Sequence, residues 1–319
     1  MRLGFAVKVL GEGGIKECDT RRWQNNPHLK CSLDHLRQVL DYCHRHHLNM
    51  YRMSSDLAPY LTHPDLPQFH RQLEEASEEL AAIGDLARRY GIRLSLHPSQ
   101  YIVLNAHDES IAEKSIRDLI AQGEILDRMG CGPEAVVVTH VGGAYGNKTA
   151  GIERFARRFD ALPEAARRRL VVENDDVTYS AADALRVHAL CGARVVFDNL
   201  HFFCNNPERL PLRDTLERCL ATWPADQTPK IHYSTPRTES VEMARKSGKA
   251  GEMKTYQAAP DLRLHADYVN PFEFRFFLEK AEGLRPFDIM VEAKAKDLAV
   301  LKLKNDLAKF GDGRTPSND

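Results

Sequence analysis

The sequence predicts an α/β protein of the (β/α)8 barrel class. Three observations lead there. Short strand-like apolar runs alternate with helical-period segments about eight times along the chain. The run AVVVT at 135–139 is apolar on almost every position, as in a parallel strand buried on both faces. The 319 residues suit one barrel with insertions. One domain over residues 1–310 is expected, with a disordered tail at 311–319.

The elements follow in order. Residues 3–9 read as the first strand and 33–46 as the first helix, with Ser32 in the N-cap position. Residues 48–53 form the second strand. The segment 70–90 has apolar residues at helical spacing and stops at Gly91. The third strand, 93–96, ends at His97-Pro98, and proline cannot extend a ladder. A helix at 110–129 precedes the fourth strand, 135–139, and a helix at 149–162 precedes the fifth, 168–172. A helix at 181–190, the sixth strand at 193–197, a helix at 212–222 and a short seventh strand at 229–231 continue the alternation. From 234 to 267 the period fails, and the segment reads as a long insertion after the seventh strand. A helix at 270–279, the eighth strand at 288–291 and a helix at 294–310 close the pattern.

Composition excludes some roles. Lys and Arg number 44 against 45 Asp and Glu, so bulk charge does not drive the chain to nucleic acid. The seven cysteines are odd in number and form no CxxC pair, the usage of reduced thiols in a cytoplasmic protein. No stretch reads as a signal peptide, and no apolar run approaches the roughly twenty residues that span a bilayer. No membrane association is expected.

The chemistry lies at the strand ends. His97, His140, Glu173, Asp198, His232 and Glu292 each stand at or just past the end of a predicted strand. In a parallel barrel these ends share one rim. A single histidine there is more often a hydrogen-bonded structural residue, and a single Glu often caps a helix. Six together would leave carboxylates and imidazoles repelling one another unless cations join them. Imidazole mixed with carboxylate suits Mn, Zn or Fe, and the absence of rim cysteine argues against a structural zinc site. So many donors exceed the needs of one ion, so two or three divalent ions are expected, the arrangement that clamps both oxygens of a phosphoryl displacement. His201, His265 and His63 are further candidate ligands; the other eight histidines read as surface residues.

Two more features stand beside these ligands. Lys230 precedes His232 by two and so faces the same side of its strand, where a charged amine beside cations is unfavourable unless deprotonated or modified. Gly142-Gly143 follows the fourth strand, where backbone N–H groups can approach an anion, with Lys148 near the next helix start; a plain tight turn is an equal reading.

Together the stretches YRMSSDLAPYLTH, LSLHPSQYIVLN, THVGGAYGNK, LVVENDD, VFDNLH, KIHYSTPR, LHADYV and MVEAKAKD resemble the UV damage endonuclease family, whose barrel is similar to that of endonuclease IV. The resemblance implies a hydrolase, an endodeoxyribonuclease that cuts damaged double-stranded DNA 5′ of UV photoproducts and other lesions by metal-activated hydroxide. It implies His97, His140, Glu173, Asp198, His201, His232, His265 and Glu292 as ligands, with His63 in addition, and manganese as the metal, Zn2+ or Mg2+ being alternatives. Glu173, Lys230 and His232 become the catalytic group, and Lys230 matches a lysine found carboxylated in the family. Gln100 and Tyr101 match the pair that probes the duplex, with Arg237, Lys246 and Lys249 as phosphate contacts. At the family's first-strand tyrosine this chain has Phe5, which keeps the ring and loses the hydroxyl, and the asparagine that commonly follows is absent. A monomer without obligate protein partner is expected. The alternatives are an abasic-site endonuclease of the endonuclease IV kind and a xylose isomerase-like sugar isomerase or epimerase, which would need only Glu173, Asp198, His232 and Glu292.

Overall fold

The computed structural model describes residues 1–247 and 252–309. Eight strands run parallel in two sheets. One has β1 (Leu3–Ala6), β2 (Met50–Arg52), β3 (Arg93–Ser95), β7 (Lys230–Tyr233) and β10 (Asp288–Val291), ordered β3-β2-β1-β10-β7. The other has β4 (Val137–His140), β5 (Leu170–Glu173) and β6 (Arg194–Val196) in sequence order. Single parallel bridges, Leu96 to Val137 and Asp198 to His232, join the two sheets. Helices follow the strands and cover the sheets, a TIM-like parallel α/β arrangement. No helix of the described residues is long and apolar enough to cross a membrane, and all seven cysteines are free thiols.

Alternation along the strands sorts side chains into two populations. Phe5, Tyr51 and Leu94 point outward into the apolar layer beneath the helices. Every second residue points inward, and register stacks these into tiers. Asp288 pairs with Lys230 and Met290 with His232; His140 pairs with Glu173. The middle tier holds Ala6, Met50 and Met290 on one side and Val138, Val171 and Val196 on the other. Above it stand the strand-end donors.

The tier below is charged. Arg93 and Asp288 are both buried and pair at 2.9 Å, and Asp288 also accepts from Arg2. The remaining Arg93 donors reach the carbonyls of Glu134 and Thr228, so each charge is bonded on several sides. Breaking a buried pair by deleting one partner costs about 3–5 kcal/mol. Asp288→Ala is therefore expected to lower unfolding stability by about that amount, measured as a shift in urea midpoint at unchanged slope; a shift within error would show that the pair is not integral to the fold.

Several sequence expectations change. β1 ends at Ala6 because Val7 takes a positive φ of 66°. The first helix begins at Leu29, capped by the His28 imidazole, which accepts from Lys30 N. Ser32 lies inside that helix, where its Oγ accepts from Asp19 N. The expected helix at 70–90 is broken at Ala76 into Gln72–Glu75 and Ser77–Arg89. The insertion carries an antiparallel ribbon, β8 (Val241–Ser247) and β9 (Glu252–Ala258). Among the described residues it pairs with no other strand, so its sequence need not carry an apolar face and gave no strand signal. The tail at 311–319 and Lys249 lie outside the described residues.

Candidate metal centre

Glu173 is the hub. It ends β5 fully buried, with one carboxylate oxygen 3.1 Å from His97 Nε2 and 3.8 Å from His140 Nε2. The other lies 2.8 Å from His232 Nδ1 and 3.6 Å from His201 Nδ1. Glu292 extends the cluster: its Oε1 is 3.3 Å from His232 Nδ1 and its Oε2 is 3.9 Å from His265 Nε2. Asp198 Oδ1 caps the short helix Asn199–Cys204 through His201 N at 2.7 Å and faces the His201 ring at 3.7 Å. Two sets of donor atoms are close enough to share an ion: His97, His140 and Glu173, and Glu173, Asp198 and His232.

The electrostatics are those of a ligand set. Burial alone would raise the Glu173 carboxyl, but the His232 and His140 imidazoles and its hydrogen bonds outweigh that and hold it far below the usual range. Burial pushes Asp198 up to about 6, opposed by His201 and reinforced by Glu173 and Glu292. Burial disfavours charge on His201, yet Asp198, Glu173 and Glu292 keep it up at about 9. A proton thus supplies positive charge among three carboxylates, the role a metal takes when ligands deprotonate to bind it. Asp198 Oδ2, His232 Nε2 and His140 Nδ1 are buried without a hydrogen-bond partner among the described residues. Orphaned donor atoms of ligand type, on two clusters sharing Glu173, fit divalent ions.

Other expected residues fall differently. Lys230 is fully buried one tier below, its Nζ donating to Ser95 Oγ at 3.0 Å; burial, then Arg52 and Arg93, hold it well below the usual lysine range. Gln100 and Tyr101 project from the loop after β3, and Tyr101 is 77% exposed. Gln100 borders a cavity of about 440 Å3 lined also by His97, Val103, His140, Gly143 and Tyr145. His63 is exposed in the turn after β2, where its Nδ1 accepts from Asp65 N, and no described contact links it to Glu173. Phe5 is fully buried against Tyr51 because it occupies an outward position of β1, so it offers no surface to a duplex. Gly142 has φ of 110° and lies so near Asn105 that a Cβ would collide. The Gly143 N–H is taken by Asn105 Oδ1 at 3.1 Å, so this glycine pair anchors a turn. Lys148 is ion-paired with Asp183. The Arg237 backbone bonds to Leu264 O beside the His265 bridge, and Lys246 stands on β8.

The model of the family described as UV-endonuclease UvdE matches residues 26–318. The chain belongs to the UvdE family. A UV DNA damage endonuclease of Bacillus velezensis is 33% identical over 284 residues, covering 88% of this chain and 81% of that protein. The crystal structure of SacUVDE superposes with a TM-score of 0.79 at 29% identity, over 97% of this chain and 99% of the other. Endonuclease IV from Thermus thermophilus shares the fold alone, with a TM-score of 0.57 at 16% identity over 97% of this chain and 100% of its own.

Within this UvdE chain, three site residues escaped sequence reasoning. Asn174 braces Asp198 through paired bonds of 2.9 and 3.1 Å, and its carbonyl oxygen lies 2.9 Å from His201 Nδ1. Ser95 receives Lys230. Arg52, the last residue of β2, is ion-paired with Glu292. The strand-end rule that points at the clustered His, Asp and Glu side chains also points at Arg52, which a search for metal-binding residue types passes over because arginine binds no metal.

Proposed function

We infer that the protein is a metal-dependent DNA repair endonuclease that incises the phosphodiester 5′ of UV photoproducts and other lesions in duplex DNA. The observation that carries this reading is the convergence of His97, His140, His201, His232, His265, Asp198 and Glu292 around Glu173 in a UvdE chain. His97, His140 and Glu173 would hold one ion, Glu173, Asp198 and His232 a second, with Glu292, His201 and His265 completing a set of two or three. Manganese suits this nitrogen and oxygen donor mixture. When bound, the ions supply Lewis acidity and a more acidic water. Glu173 bridges the donor sets and sets the spacing. His232, wedged between Glu173 and Glu292, keeps the two carboxylates apart. Gln100 and Tyr101, free of the core, enter the base stack, and the adjoining cavity receives displaced nucleotides. Arg237, Lys246 and Lys249 contact phosphates. The scaffold is a closed (β/α)8 barrel forming one domain over residues 1–310, acting as a cytoplasmic monomer.

Lys230 adds a covalent refinement. A buried neutral amine can add to carbon dioxide, its nitrogen forming the C–N bond and losing a proton, to give a carbamate whose negative charge faces the ligand tier. Intact mass of the native protein is expected to show the added carbon dioxide, and Lys230→Met to lack it; equal masses after allowing for the substitution would refute the modification.

The direct test uses an end-labelled duplex carrying one cyclobutane dimer, one abasic site or no lesion, incubated with the manganese-loaded protein. A single cut 5′ of the dimer is expected. Cutting of the abasic duplex alone would favour the endonuclease IV-like reading, and no cutting of either would remove the nuclease reading.

A further inference from the structure

Arg52 is placed where the ligand set alone gives no reason for it. It stands inward at the end of β2, in register with Ala6 on one side and Ser95 on the other. To reach Glu292, beyond β10, its side chain passes over β1, and the inward residues there are only Gly4 and Ala6. That small surface leaves a channel for the guanidinium. One Nη1–H is ion-paired with Glu292 Oε1, with the two side chains 15% and 11% exposed. A guanidinium has five N–H donors in a rigid fork. Among the described residues no second acceptor is hydrogen-bonded to this one.

The charge balance of the loaded centre makes those donors consequential. Glu173, Asp198, Glu292 and the Lys230 carbamate carry four negative charges against the four or six positive charges of two or three divalent ions, so Arg52 adds a positive charge to a set already neutral or positive without it. Hydrogen bonding that orients a ligand carboxylate accounts for the one N–H that Arg52 gives to Glu292, but it leaves the other donors unused, and a guanidinium beside cations is repelled unless an anion joins them. The one anion that an endonuclease brings to this rim is a phosphodiester. Because the Arg52 side chain is 15% exposed and held against Glu292, the phosphate it can meet is one that reaches the donor cluster itself.

We propose that Arg52 is a catalytic residue that holds Glu292 with one N–H and binds a non-bridging oxygen of the scissile phosphate with its remaining donors. It then carries charge that develops on that oxygen as the phosphorus gains its fifth substituent, from a fixed position and without ion rearrangement. The assignment rests on the endonuclease reading.

The experiment compares wild type with Arg52→Met and Arg52→Lys, all manganese-loaded, on the single-dimer duplex. Metal content, kcat, KM and the inhibition constant for inorganic phosphate are measured. Arg52→Met is expected to lower kcat by roughly 10²–10³-fold, to weaken phosphate inhibition about tenfold or more, and to keep its metal. Arg52→Lys keeps the charge and loses the fork, so part of both effects should return. Metal loss in proportion to lost activity, with phosphate inhibition unchanged, would mean that Arg52 acts only through Glu292 and would overturn the proposal, as would a wild-type kcat in Arg52→Met. If Arg52→Met does not fold, as judged by circular dichroism, Arg52→Lys is held to the same criteria, with unchanged kcat and phosphate inhibition again overturning it. A wild-type protein that fails to incise refutes the endonuclease reading instead, so the two failures are distinct.

Discussion

Glu173→Gln is expected to abolish incision, by roughly 10²–10³-fold or more, while leaving the fold intact. Glu173 touches His97, His140, His201 and His232 at once, so every donor set at the rim includes it or adjoins it. Glutamine keeps the shape and one carbonyl oxygen but removes the charge that two ions would share. It also turns an N–H2 donor towards imidazole nitrogens that a metal would need. The chelator-treated variant should stay folded but unfold at a lower temperature than chelator-treated wild type, because the imidazoles and hydrogen bonds that outweigh burial favour the carboxylate, and glutamine gives up that contribution. Manganese content should fall together with activity. Full incision by the variant would remove Glu173 from the mechanism, whatever its metal content.

The paired substitution Gln100→Ala, Tyr101→Ala is expected to keep metal and fold and to lose preference for damaged duplex. Tyr101 is 77% exposed and makes none of the core contacts that a stability effect requires; away from such contacts, substitutions shift stability by about 0.5 kcal/mol or less. Stacking of an aromatic on a base is worth about 1–3 kcal/mol. Discrimination between lesion and intact duplex should therefore drop by roughly 5- to 150-fold. Competition between the two duplexes in one reaction reads this directly, and undiminished preference in the double variant would sink the probe assignment.

The strand-end donors were legible in the sequence because register does the work. Strands that begin on one side and run parallel bring residues such as His140 and Glu173 side by side, however far apart they stand in the chain. Asp198 and His232 meet across a bridge for the same reason. Direction along a strand is harder to read, and Phe5 illustrates it: one step in a period of two separates the barrel interior from the layer beneath the helices. His63 stands in a turn, and no strand fixes its heading. The glycine pair at 142–143 was ambiguous because an open N–H and one bonded to Asn105 leave the same sequence trace. Ser32 misled because its hydroxyl serves a tertiary contact to Asp19 in place of its own helix end. The ribbon of β8 and β9 gave no signal because, among the described residues, its two strands pair only with each other. Charged interior pairs such as Arg93 with Asp288 also stay hidden, since each looks like a surface residue until both are placed in one tier.

The most direct measurement is metal stoichiometry taken on the same preparation whose incision is assayed: protein stripped with chelator, reloaded with manganese, desalted, and analysed for metal by plasma mass spectrometry. Two or three equivalents per chain are expected, with cutting 5′ of a single dimer absent from the stripped protein and returning as they bind. One equivalent per chain with no incision of any lesion duplex would contradict a multi-metal nuclease and match a single-metal sugar isomerase.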